Sequence, residues 1–184
     1  MDFSNEQKVI LALLADIHAA IGVENGLDAD FILDKAITGR TWAIRWQYGH
    51  LFSGDYETPA HVKLVADVLD LWEGLEYSFE NLEADDKDRL RQLSPIFGED
   101  VKFRGFDGNG GDRDAYGTAS ILINEMGRWS CFQGRDLNAH MPTLESYERM
   151  LNASRSLEKE VYDRHYSVEE IALILNAREH SSGW

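Results

Sequence analysis

The chain has 184 residues, enough for one generous domain or two small ones, and its ordinary apolar content excludes wholesale disorder. The formal net charge is −15: residues 1–100 carry 20 acidic against eight basic side chains, and residues 101–184 carry 13 against ten. Such a field repels nucleic-acid phosphates and anionic lipid, so nucleic-acid and membrane binding are disfavoured. A single cysteine excludes an intrachain disulfide. The opening MDFSNEQK has neither the basic region nor the long apolar core of a secretion signal. The longest apolar run, residues 9–15, is far short of the roughly 20 residues a bilayer requires. A soluble, cytoplasmic protein is the expectation. The acidity serves solubility or, more specifically, forms a face that docks a basic protein or mimics nucleic acid.

Ser4 and Gln7 make a capping box that opens a first helix. Val9, Ile10, Leu13, Leu14, Ile17 and Ile21 then recur at helical spacing and predict its inward stripe, and Gly22 ends it. Asp28 caps a second helix with Phe31, Ile32, Ala36 and Ile37 on its buried side, interrupted by Gly39. The aromatic segment 41–52 follows, with Trp42 and Trp46 four apart on one helical face. Two tryptophans so placed can stack a flat ligand, but core packing or a subunit interface is the commoner use. A helix-turn-helix over residues 28–52 fits in length only. Its recognition helix would offer just Arg40, Arg45 and Gln47, inside the more acidic half of the chain.

Thr58-Pro59 starts a long helix running to about Leu82. One stripe, Val62, Val65, Leu69, Trp72, Glu76 and Phe79, is apolar except for Glu76; Val68, Leu71, Leu75 and Leu82 lie beside it. A face that broad belongs to the central helix of a bundle or to a dimer interface. Asp67, Asp70, Glu73, Glu80 and Glu83 read as a solvated acidic face, because the Glu-x-x-His motifs of a di-iron bundle are missing. The charged run 83–91 and Ser94-Pro95 close the first half. A soft boundary is placed there, giving an N-terminal helical part, 1–95, and a C-terminal helical part, 96–184, or one compact unit.

Val101, Phe103 and Phe106 alternate with Lys102 and Arg104 in a short extended segment, and 107–112, DGNGGD, forces a loop. The loop begins like a calcium loop, but Asp112 stands where glycine is needed and Thr118 where the bidentate glutamate belongs. GNGG also fits neither phosphate-loop pattern. A helix from Asp112 or Asp114 carries Tyr116, Ala119, Ile123 and Met126 to Gly127. A crossing at 128–132 and a second loop, 133–142, lead to a helix capped by Thr143 and lined by Leu144, Tyr147, Leu151 and Leu157. Ser167 and Glu170 form a second capping box, opening a last helix with Val168, Ile171, Ile174 and Leu175 inward. Residues 179–184 read as a frayed tail.

Gly105-Phe106-Asp107, Gly127-Arg128-Trp129 with Phe132 three residues on, Asn138, Pro142 and Tyr147-Glu148-Arg149-Met150-Leu151-Asn152 stand in the order and spacing of a known pattern. In these residues the chain resembles the YfbU family of bacterial proteins, with weaker likeness over most of residues 4–178. The family pattern places a glutamate directly before Gly-Arg, whereas Met126 intervenes here. The resemblance implies a mostly helical fold with a helical hairpin, and no established activity.

The reading is an all-α protein with at most a short strand pair. The expected function is that of a non-enzymatic interaction or regulatory protein, self-associating through the broad helix and Trp42, Trp46 and Trp72. The alternative is a binding protein or enzyme for an anionic small molecule. Its pocket would draw on Arg128, Asp107, Trp129, His140 and Arg149, since guanidinium forks suit carboxylate and phosphate. Asp107 and Arg128 equally fit a buried ion pair. Cys131, His140 and Asp136 supply the residue types of a nucleophilic triad, although a cysteine between aromatics is more often a small hydrophobe. No metal or cofactor is expected.

Overall fold

A computed structural model describes residues 3–24, 26–157 and 165–179. Among them are eight α-helices and no sheet: α1 (Asn5–Ile21), α2 (Ala29–Ile37), α3 (Thr41–Gln47), α4 (Ala60–Glu80), α5 (Ala84–Leu93), α6 (Arg113–Ser120), α7 (Leu144–Arg155) and α8 (Val168–Asn176). The fold is all-α. The only extended pairing among these residues is an isolated parallel bridge between Phe106 and Asn138. No described helix is long and apolar enough to cross a membrane. The chain forms two compact units, Met1–Pro59 and Ala60–Trp184. The soft boundary expected near residue 95 therefore falls inside the second unit, where Ser94 is buried and its carbonyl accepts the Gly98 N–H at 2.7 Å.

In the first unit the expected caps are present. The Ser4–Gln7 box opens α1, Gly22 closes it with a left-handed φ of 62°, and the Asp28 carboxylate accepts the Phe31 N–H to start α2. The core is Ala36, Ile44 and Tyr48, surrounded by Phe3, Leu11, Leu27, Phe31, Ile32 and Phe52. The Tyr48 hydroxyl accepts the Asp28 N–H at 2.9 Å, tying the end of α3 to the start of α2. Trp42 and Trp46 meet edge to face at 6.0 Å, with Trp42 buried.

One expectation for α1 is reversed. The stripe Val9, Ile10, Leu13, Leu14, Ile17 and Ile21 points outward, each side chain 54–69 % exposed. The helix instead turns Leu11 and Ala15 toward α2. The unit is too small to cover both sides of α1. The side bearing alanines allows the closer approach, and the larger residues are left facing solvent.

In the second unit α4 is the central helix, packed by α6 and α7, while α8 packs on α5 and α7. Its two apolar stripes are buried as expected, with Val62, Val68, Leu69, Trp72 and Leu75 at or near zero exposure. Trp72, Phe103, Phe106 and Tyr147 form a ring cluster with centroids 5.5–6.1 Å apart. Residues 121–125 continue α6 as a π-turn, closed by Met126 N–H to the Ile121 carbonyl at 2.9 Å. A π-turn absorbs one extra residue in a helix. The expected tail beyond Glu179 lies outside the described residues.

Candidate functional site

The glycine turn and the second loop are knitted together by backbone and carboxylate. Gly105, at φ 84°, sits against the Leu137 carbonyl so closely that a Cβ would come within 1.9 Å of that oxygen. Only glycine permits both the backbone angle and the approach. Phe106 N–H then donates to Leu137 O, and Ala139 N–H to Phe106 O, each at 2.9 Å. Asn138 Oδ1 accepts from Gly108 N–H and His140 N–H, both at 3.0 Å, which spans the two loops with one side chain. Asp107 is buried, and its Oδ1 accepts the Asn109 N–H at 3.0 Å.

Asp112 does the capping expected of Thr143. Its Oδ2 accepts from Thr143 N–H at 2.7 Å and Leu144 N–H at 3.0 Å, while the Thr143 hydroxyl donates to the Gly105 carbonyl at 3.0 Å. A cap brought from 31 residues upstream has no local sequence signature.

The acidic side of α4, expected to be solvated, is engaged by residues 129–135. Asp70 accepts the Trp129 indole N–H at 3.0 Å. The Cys131 thiol donates to Glu73 Oε1 at 3.5 Å. Glu76, the one polar residue in the apolar stripe, takes both prongs of the Arg135 fork at 2.8 Å and the Phe103 N–H at 2.7 Å. Glu76 is thus buried with all its obligations met, and its carboxylate pushes the Arg135 pKa up. Desolvation, and then the Glu73 carboxylate, push the Cys131 thiol up to about 11. A thiol held in its protonated form suits neither nucleophilic attack nor metal ligation. Its partner is Glu73, and the His140 Nδ1 lies 3.1 Å from Asn109 Nδ2, so Cys131 and His140 do not form a triad.

The residues expected in an anion pocket have separate engagements. Arg128 is exposed while Asp107 is buried, so they form no buried pair. Trp129 faces Asp70. His140 is exposed, its Nε2 4.0 Å from Asp136. Arg149 closes the end of α8, donating from Nε to the Ala177 carbonyl at 3.1 Å and from Nη2 to the Arg178 carbonyl at 2.6 Å. Trp129 and His140 both hold left-handed backbones, at φ 45° and 55°, an uncommon conformation outside glycine. Of the proposed interface residues, Trp42 and Trp72 are buried within the chain, Trp72 completely.

The second unit does hold a cleft, of about 750 Å³, and none of those five residues lines it. Its walls include Ile96, Phe97, Lys102, Arg104, Arg135 and Arg178. Arg104 and Arg135 belong to the arginine-rich half that pointed to an anion pocket. Lys102 and Arg178 carried no motif, and the sequence signal for Arg178 is only its place just after α8. Among the described residues no group of three or more His, Cys, Asp or Glu side chains is arranged to hold a metal ion.

The residues that carry the resemblance therefore serve mainly to join loops and helix ends: Gly105, Asp107, Asn138, Tyr147 and Arg149. A YfbU domain model matches residues 1–177 of the 184. That match spans both units, and the chain belongs to the YfbU family.

Proposed function

We propose that the protein is a non-enzymatic interaction protein that works as a homodimer joined through α1. The observation that carries this reading is the outward stripe of α1. Six large aliphatic side chains lie over one face, all more than half exposed, on a helix that is otherwise well capped. Isolated exposed leucines are ordinary, but a contiguous stripe over residues 9–21 is a mark of a covered surface.

Size favours a second copy of the same chain. Six such side chains leave roughly 100 Å² each to cover, about 600 Å² a copy and about 1,200 Å² for a symmetric pair, the lower end of specific interfaces. A twofold interface needs a self-complementary patch, and an aliphatic stripe meets that condition. Glu6 lies one turn before Ile10 on the same face. Antiparallel packing keeps the two Glu6 carboxylates at opposite ends of the pair, whereas parallel packing would set them together. In a chain of net charge −15 the aliphatic contact also has to outweigh mutual repulsion, which salt weakens.

The test is Leu13→Asp in gel filtration with light scattering. Leu13 is 59 % exposed, so the variant should keep its helicity and melting temperature above dissociation while its mass falls from twice 20.9 kDa to 20.9 kDa. A variant that stays dimeric would remove α1 as the interface.

A further inference from the structure

The cleft of the second unit carries more positive charge than its walls neutralise. Its three lining carboxylates are already engaged. Glu99 accepts from Arg91 Nε at 2.7 Å, Asp100 pairs with Arg104, and Asp136 Oδ1 accepts the Asn138 N–H at 2.9 Å. Arg135 has given its fork to Glu76. Two cations are left over. Lys102 makes no ion pair or side-chain hydrogen bond among the described residues. Among the described residues the Arg178 guanidinium meets two rings, lying 4.5 Å from the Phe97 centroid and 5.8 Å from that of Trp72.

Stacking holds a guanidinium plane in place while leaving its five N–H donors on the edge free for an incoming acceptor. Arg178 is half-buried, and both desolvation and the nearby Arg104 charge lower its pKa. Arg178 and Arg104 line the same cleft, and among the described residues no carboxylate pairs with Arg178. Arg104 is paired only with an exposed Asp100, a contact worth little and easily exchanged for a bound anion. Ile96 and Met141, 66 % and 63 % exposed, give the same cleft an apolar wall.

We propose that this cleft binds a small organic dianion, a phosphate monoester or a dicarboxylate, through Arg178, Lys102 and Arg104, with its apolar body against Ile96 and Met141. Three cationic side chains on one cleft suit a ligand carrying two anionic groups, even with the Asp136 carboxylate on the same wall. The volume is within the range of small-molecule sites, roughly 300–1,000 Å³. The reading is independent of the α1 face, which belongs to the other unit.

The experiment is isothermal titration of the full chain at low ionic strength with phenyl phosphate and with phenylsuccinate, and with benzoate as the monoanion. Binding of either dianion, at least tenfold tighter than benzoate, is expected, and the better of the two identifies the source. Lys102→Gln removes a charge with no contact to disturb and should weaken binding about tenfold, the loss of one charge-assisted contact. Arg178→Gln should weaken it further; where its packing on Trp72 lowers stability, Lys102→Gln alone decides. Three results would overturn the proposal: no heat from either dianion at 10-millimolar order, benzoate binding as well as the dianions, or affinity unchanged in Lys102→Gln.

Discussion

Glu76→Ala is the sharpest test of how the second unit is held together. The wild-type carboxylate is 10 % exposed and accepts three hydrogen bonds, two from Arg135 and one from Phe103 N–H. Its removal leaves the Phe103 amide without a partner beside Trp72, which costs about 1–3 kcal/mol. It also strips Arg135 of its counter-ion. Because Arg135 is 27 % exposed it recovers some hydration, so the charge contribution is about 2 kcal/mol, below the value for a fully buried ion. The sum is a loss of about 3–5 kcal/mol. Urea unfolding followed by circular dichroism measures it, with slope and midpoint both recorded. Glu76→Gln keeps an acceptor for Phe103 and should lose about half as much. Glu76→Leu combined with Arg135→Leu should recover the charge part, about 2 kcal/mol, since no unpaired charge remains, but not the part lost by the Phe103 amide. A Glu76→Ala variant within about 1 kcal/mol of wild type, or a double variant no better than the single, would refute the account.

Asp112→Ala uncaps α7 from outside the helix, leaving the buried Thr143 amide and the part-buried Leu144 amide short of an acceptor, while the Thr143 hydroxyl keeps the Gly105 carbonyl; a loss of about 2–4 kcal/mol is expected in thermal and urea unfolding, with Asp112→Asn milder. Burial pushes the Tyr147 hydroxyl up to about 12. The folded pKa lies above the unfolded value of about 10, so the contribution is fully present below pH 10 and is lost as pH rises through 12. It amounts to about 3 kcal/mol by pH 12, and Tyr147→Phe should flatten that part of a stability-versus-pH curve. Cys131 is exposed yet should alkylate slowly at neutral pH, with the rate rising toward pH 11 and Glu73→Gln accelerating it several-fold; a half-maximal rate near pH 8.5 would contradict the hydrogen bond to Glu73.

What the sequence disclosed and what it concealed separate along a physical line. The local signals held: both capping boxes, the Gly22 terminus, the Thr58-Pro59 start and the paired stripes of α4 each depend on residues within a turn or two of one another. The anomaly of Glu76 was also visible, as the one charge in an apolar stripe, but its partners lie 27 and 59 residues away and no periodicity names them. The same holds for Asp112 on Thr143. Periodicity identified the stripe of α1 as apolar but not which way it faces, because two faces of that helix are suitable for burial and a small unit covers one. In the candidate site, arginine enrichment pointed to the half of the chain that holds the cleft. It did not distinguish Arg149, spent on the end of α8, from Arg178, left open to the cleft, since that difference lies in the three-dimensional supply of carboxylates and carbonyls.

The central claim, that α1 is the seam of a homodimer, is tested most directly by sedimentation equilibrium of the wild-type chain over a dilution series at physiological salt. The account predicts a mass of twice 20.9 kDa at micromolar concentration, falling toward 20.9 kDa on dilution as the apolar stripe is exposed again. A mass of 20.9 kDa at every concentration up to the millimolar range would contradict it.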